Sequence, residues 1–247
     1  MKIRKFIPLS LIRHLKKVRN FILAIAYRGT GLYCPVCNKS SGKFGKVRDA
    51  EDTRCMHCGS LDRHRVVWHY FKEKTDIFTR NPITMLHIAP EPAFEKLLKR
   101  HLGSGYLTAD LYDPRAMVKM DVTDIQYPDE SFDVIYCSHV LQYVPDDKQA
   151  IRELFRILKP DGWAVLLVPP MTDRAFDCPS ITDQSEHLKT YDPENPAHRY
   201  GFDFVERLKE AGFKVKVAHP SDFLSQEKTL HMSITGAAGE IYYCTKK

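Results

Sequence analysis

The stretch MLHIAPEPAFEKLL, Met85 to Leu98, decides the fold. An apolar strand pattern passes through a turn into an amphipathic helix pattern. At the carboxyl edge of an open α/β sheet, such a passage turns a strand end and a helix N-terminus toward one crevice, the usual place for a nucleotide. This turn has no glycine. Phosphates need backbone N–H groups at close range, and glycine permits that approach. Of Ala89, Pro90, Glu91 and Pro92, two have no N–H, and Glu91 repels an anion. The turn therefore argues against phosphate. A nucleoside carrying a cation meets no such objection, and a carboxylate becomes an asset to it.

From about Asn81 to Lys247 the chain alternates strand and helix patterns, the signature of a parallel sheet with crossover helices. Strands read at ITMLHIA, GYLTAD, FDVIYCS and WAVLLVP, with FKVKVAH as an edge strand and EIYYCT as the last. Helices read from Pro92 to Leu102, Asp146 to Leu158 and Asp203 to Ala211. Pro92 suits a first helical position, Asp203 and Glu206 suggest a capping box, and Gly212 suits a helix end. Asp110 closes the second strand about twenty residues past the turn, where a carboxylate can take both ribose hydroxyls. Its other reading is a turn residue before Pro114. A ribose without a phosphate, beside an acidic turn, fits S-adenosylmethionine, whose ammonium group Glu91 could accept.

The net charge of +6 is a property of the N-terminus. Residues 1–30 carry eight Lys or Arg and no acid, which leaves −2 on the remainder. That weakens any argument from charge to a nucleic-acid-binding core. Within 1–30, Leu11, Leu15, Val18, Ile22 and Ile25 fall at helical spacing among Arg13, Lys16, Lys17 and Arg19. This is a basic amphipathic helix, read either as contact with an anionic membrane surface or as an element docked on the protein's own core. FILAIAY is too short and too deep for a secretory core, and no apolar run approaches the ~20 residues that span a bilayer.

CPVCNKSSGKFGKVRDAEDTRCMHCGSLDRHR, Cys34 to Arg65, has two CxxC pairs seventeen residues apart. Each pair supplies half of a tetrahedron, so Cys34, Cys37, Cys55 and Cys58 read as ligands of a structural Zn²⁺ that closes a fold too small for a core. His57 and His64 are substitute ligands that a four-sulfur shell does not need. Lys39, Lys43, Lys46, Arg48, Arg54 and Arg63 offset the cluster's negative charge. Seven cysteines with this pairing fit a reducing compartment, and the expectation is a cytoplasmic protein, peripheral at the membrane if the N-terminal helix meets lipid. The expected domains are 1–30, the basic helix; 31–75, the zinc-ribbon-like module; and 76–247.

From Met85 through GFDFVERLKEAGFKVKV the chain resembles the class I S-adenosylmethionine-dependent methyltransferases. The likeness is most specific in MDVTDIQYPDESFDVIYCSHVLQYVPDDKQAIRELFRILKPDGWAVLLVPP, Met120 to Pro170. It implies a Rossmann-like, doubly wound α/β fold with seven strands, the last antiparallel. By position, Asp110 looks like the ribose acid with Leu111 beside it. Asp121 and Val122 look like the adenine contacts, and Ser138 like the strand end beneath the reactive methyl. Most relatives have an acid at the position of His87 and glycines at those of Ala89 and Glu91, so Ala89 and Glu91 belong to an altered cofactor loop. The CxxC module, CGSLDRHR and LHIAPEP together are similar to a subgroup of bacterial methyltransferases that share this alteration.

Methyl transfer from a sulfonium needs alignment and dryness, and a base only when the acceptor is a neutral hydroxyl or amine. His139, after the fourth strand, is the first candidate base. His187 and His198 follow, in the insertion Met171 to Tyr200, which with Tyr191 and Tyr200 reads as a lid. A histidine beside a helix start is more often a packing or capping residue. The expected acceptor is a polar small molecule or glycan. An RNA methyltransferase using its zinc module as a grip is an alternative, and a scaffold that kept the fold without catalysis is another.

Overall fold

The structure, a computed structural model, describes residues 18, 22, 25–47, 50–169, 176, 177, 198–201 and 203–246, with backbone alone for 50, 51, 176, 177, 198 and 199. The chain forms two compact units, Met1–His69 with Leu224–Thr235, and Tyr70–Phe223 with Gly236–Lys247.

In the first unit, β1 (Leu32–Cys34) pairs antiparallel with β2 (Lys39–Ser41), and β3 (Gly45–Val47) with β4 (Ala50–Arg54). Helix α1 (Asp62–Lys74) follows, its residues from Tyr70 onward belonging to the second unit. Strands this short bury little. Of the expected N-terminal helix, Val18, Ile22 and Ile25 are helical and exposed. Leu11, Leu15 and the basic positions among them lie outside the described residues.

The second unit is built on a seven-stranded sheet. It takes β5 (Met85–Ile88), then α2 (Pro92–Leu102), β6 (Tyr106–Asp110), β7 (Val118–Lys119), β8 (Phe132–Ser138) and α3 (Asp147–Ile157). β9 (Leu158–Leu167) follows. A short pair, β10 (Phe176–Asp177) and β11 (His198–Arg199), stands apart from the sheet, which β12 (Lys214–Ala218) and β13 (Ile241–Thr245) complete after α4 (Phe204–Glu210). The order is β12-β13-β9-β8-β5-β6-β7. Pairings from β9 to β7 are parallel, and β13 runs antiparallel to both neighbours. The mostly parallel sheet with one antiparallel strand is therefore present, and FKVKVAH lies at the edge as read.

Alternation along each strand sorts side chains to two faces. Leu86, Ile88, Ile135, Cys137, Ala164 and Leu166 pack with Ile151 and Leu154 of α3 and Phe204 and Leu208 of α4. Each such large apolar side chain contributes about 1.5–3 kcal/mol on burial. On the other face Tyr136 meets Phe71, Phe94 and His87.

Local signals explain most ends. Pro92 opens α2, and Asp146 caps α3 by accepting from the Gln149 N–H at 2.9 Å. The capping box at Asp203 does not form. Its carboxylate accepts from Gly201 N and Arg207 Nε, because its own backbone is already helical, while Glu206 pairs with Lys209. LKPDG is not a free turn either: it is taken into β9 as an irregularity opposite Asp133, where a Cβ on Gly162 would stand 2.6 Å from the Asp133 carbonyl.

Gly212 ends α4 at φ +108°, and a Cβ there would lie 2.7 Å from the Phe155 ring. Gly212→Ala combines a left-handed backbone with overpacking, so we expect a loss of about 2–3 kcal/mol in chemical unfolding. An unchanged midpoint would contradict the packing seen here.

Candidate functional site

The two knuckles of the first unit are built alike. Asn38 N donates to the Cys34 carbonyl and Gly59 N to the Cys55 carbonyl, both at 2.9 Å. Asn38 and Gly59 both have positive φ, which Asn tolerates and Gly favours. The tight reversals bring the four Sγ atoms within 4.8 Å of one another. Cys34 to Cys58 and Cys37 to Cys55 are each 3.7 Å, far beyond the ~2.05 Å of a disulfide. Zn–S bonds of about 2.3 Å in a tetrahedron put sulfurs about 3.8 Å apart, so the donor set fits a divalent, thiophilic metal. Hydrogen bonding from Cys37, Cys55 and Cys58 draws Cys34 toward its thiolate. His57 is engaged with the Ser40 carbonyl, and His64 Nδ1 accepts from Leu61 N, so neither histidine is needed as a ligand.

In the second unit, a cavity of about 970 Å³ opens at the carboxyl ends of β5, β6 and β8. Small-molecule sites run to about 300–1,000 Å³, so this one is large enough for a nucleoside together with an acceptor. Ala89, Asp110, Leu111, Asp121, Val122 and His139 all line it. The sheet order explains this gathering. β6 and β8 flank β5, so residues 88–89, 110–111 and 139–140 are brought side by side although they are far apart in sequence.

Asp110 has the turn role of its second reading and also lines the cavity. Its Oδ1 accepts from the N–H groups of Tyr112 and Asp113 at 2.7 Å each, an Asx-type turn, and Oδ2 takes no hydrogen bond among the described residues. Since Oδ1 is committed to the turn, one carboxylate oxygen faces the task given to two. Asp121 likewise uses Oδ1 on Thr123 N and Oγ1.

Glu91 and Ser138 are not among the lining residues. Glu91 accepts from His87 Nε2 at 3.1 Å and from the Tyr136 hydroxyl at 3.3 Å, while His87 Nδ1 stands 2.7 Å from the Tyr106 hydroxyl. The Glu91 carboxylate can only accept, and the Glu91 backbone N–H reaches the same Nε2 at 3.4 Å. His87 is fully buried. Ser138 Oγ lies 3.3 Å from His139 Nδ1. The His198 side chain, and all of His187 and Tyr191, lie outside the described residues. Tyr200, the last residue of the insertion, is buried and donates to Asp147 Oδ2 at 2.8 Å, with Arg207 on the same carboxylate.

Sequence reasoning missed Tyr143, Val144, Pro145 and Gln149, which form the α3 side of the cavity. It also missed a backbone feature: Ala89 (φ +49°) and His139 (φ +56°) hold the left-handed conformation on either side of the opening. Relieving the Cβ by Ala89→Gly should stabilise the protein by about 1 kcal/mol in thermal unfolding, provided the loop holds its conformation. A loss of stability would show that the alanine methyl packs where we see none.

Comparison with known proteins agrees with this construction. The family described as "Methyltransferase domain" matches residues 75–166. A sterol 24-C-methyltransferase of Aspergillus fumigatus is 32% identical over 34% of this chain and 18% of its own length. A demethylmenaquinone methyltransferase of Listeria monocytogenes is 37% identical over 50% of this chain and 47% of its own. The chain thus spans less than half of either relative. Among solved structures, an S-adenosylmethionine-dependent methyltransferase from Mesorhizobium loti superposes with a TM-score of 0.50 over 72% of this chain and 97% of that one, at 15% identity. Residues 75–166 thus match the methyltransferase domain family, and the sheet that holds them shares the fold of that solved structure.

Proposed function

We propose that the protein transfers a methyl group from S-adenosylmethionine to a small-molecule acceptor, and that a structural Zn²⁺ at Cys34, Cys37, Cys55 and Cys58 holds its N-terminal module together. The observation that carries the first part is the shared cavity lined by Ala89, Asp110, Leu111, Asp121, Val122 and His139. When bound, the cofactor supplies an electrophilic methyl on a sulfonium. Asp110, through Oδ2, would hold the ribose, and Asp121, Val122 and Leu111 would hold the adenine. Glu91 and Ser138 lie outside the cavity lining, so the part proposed for them at the amino-acid end is indirect, through His87 and His139, which they hold. His139 removes the acceptor's proton at Nε2, its Nδ1 being beside Ser138. His198, on β11, is the second candidate for that proton.

For the acceptor, the cavity carries Asp110, Asp113, Asp121 and Asp146, and its Arg115 is paired with Asp113. Such walls repel a phosphate backbone, which favours a small molecule or glycan over RNA. Ile88, Leu111, Met120, Val122, Val140 and Val144 give the same cavity apolar surface, and the relatives named for sterol and demethylmenaquinone make a less polar acceptor the second reading. The three-part division at residues 30 and 75 stands as part of the same proposal, as do residence in the cytoplasm and membrane contact through residues 1–30.

The test is methyl-labelled cofactor incubated with the protein and separated cell fractions. Label in the small-molecule, glycan or lipid fractions supports the reading, and label confined to RNA overturns the acceptor. No heat on titration with millimolar S-adenosylmethionine sinks the activity and leaves the scaffold alternative.

A further inference from the structure

Arg65 is the largest of the fully buried side chains, and its guanidinium has no carboxylate partner among the described residues. Instead it donates to four backbone carbonyls: Thr53 at 2.8 Å, Ser60 at 3.2 Å, Met232 at 2.6 Å and Ser233 at 2.9 Å. It also stacks over the Phe44 ring, 4.5 Å from the centroid. Carbonyl dipoles satisfy N–H groups but do not neutralise a charge, and a buried charge without a counter-charge costs several kcal/mol. A compensating anion is therefore required nearby.

The cysteine cluster is that anion. Four thiolates around a divalent cation leave two net negative charges, and Ser60 links them to Arg65. Its Oγ lies 3.1 Å from Cys34 Sγ and 3.2 Å from Cys58 Sγ, and its carbonyl accepts from both Arg65 and Cys55 N. Burial pulls the Arg65 pKa down, and Cys34, Asp62, Cys55 and Cys58 are the anions close enough to oppose that. Of the six basic residues that sequence spacing suggested for this task, Lys39, Lys43, Lys46 and Arg54 are exposed, Arg63 is half-buried, and Arg48 lies outside the described residues.

We propose that Arg65 is the counter-charge of a metal tetrathiolate at Cys34, Cys37, Cys55 and Cys58, and that through it the metal fixes residues 224–235 in the same unit. The segment is reached from Arg65 across 167 positions of sequence and is further tied by Ser233 Oγ to the Asp52 carbonyl and by Thr235 Oγ1 to Asp62. Helix α5 (Gln226–His231) is too short to hold itself in water, so its order depends on these ties. Loss of the metal removes the cluster's share of the counter-charge, leaves the buried Arg65 with Asp62 alone as a nearby anion, and releases the segment.

The inference rests on the zinc reading, and full-length protein tests the two separately. Zinc release to a chromogenic chelator should be about ten- to a hundredfold faster in Arg65→Met than in the parent, and less so in Arg65→Lys, which keeps the charge. Hydrogen exchange in the parent should show residues 226–233 losing protection together with 34–58 when zinc is stripped. That measurement decides the matter if Arg65→Met does not fold. A parent that binds zinc, with equal release from Arg65→Met, overturns the role of Arg65. Unchanged protection of 226–233 after verified zinc loss does the same. A parent that holds no zinc after loading overturns the metal reading itself.

Discussion

Asp110→Asn is expected to weaken S-adenosylmethionine binding by about ten- to a hundredfold while leaving the unliganded protein's thermal midpoint in place. The substitution keeps a carbonyl oxygen where Oδ1 accepts from Tyr112 and Asp113, so the turn that shapes the cavity wall survives. What it removes is the negative charge and the acceptor at Oδ2. Hydrogen bonds to a charged group contribute about 1.5–3 kcal/mol, which gives that range of affinity. Asp110→Ala is the less informative change, because it breaks the turn as well. Calorimetric titration of both variants separates binding from architecture. Equal affinity in parent and Asp110→Asn would remove the ribose role and, with it, the main support for a nucleoside in this cavity.

The sequence announces the elements that frame this crevice because their determinants are local. An apolar strand ending in an acid, a proline at the first helical turn and a helix capped by Asp146 each depend on a few neighbouring residues. The two-residue β7 leaves no periodicity to detect. Glu91 is an instance where local reading stops short. Its place in the turn suggests an open carboxylate, yet its partners, His87 and Tyr136, come from two adjacent strands, and only the β5–β8 register places them together. The same holds for Arg65, whose four carbonyl partners come from three separated stretches of chain. A basic residue within an otherwise apolar helix face, RVVW at Arg65 to Trp68, is the available signal. Spacing alone gives no reason to prefer it over the exposed lysines.

The double change Cys34→Ser with Cys58→Ser is expected to abolish stoichiometric zinc and to unfold the region from Leu32 to Ser60. It takes one ligand from each knuckle, so neither CxxC pair remains to nucleate a site. Three-residue strands and a handful of buried side chains cannot replace what a structural zinc supplies, which in isolated finger peptides is about 10–16 kcal/mol of apparent binding energy. That exceeds the whole stability of many domains, about 5–15 kcal/mol, so partial order in this region is not the expected outcome. Exchange protection should vanish at the Cys34–Asn38 and Cys55–Gly59 reversals, while the central strands β5, β8 and β9, held by their own ladder and apolar faces, keep theirs. Elemental analysis of the purified variant beside the parent measures the metal directly. Equal zinc in both would mean that the cysteines converge without binding it, and the metal assignment would be withdrawn.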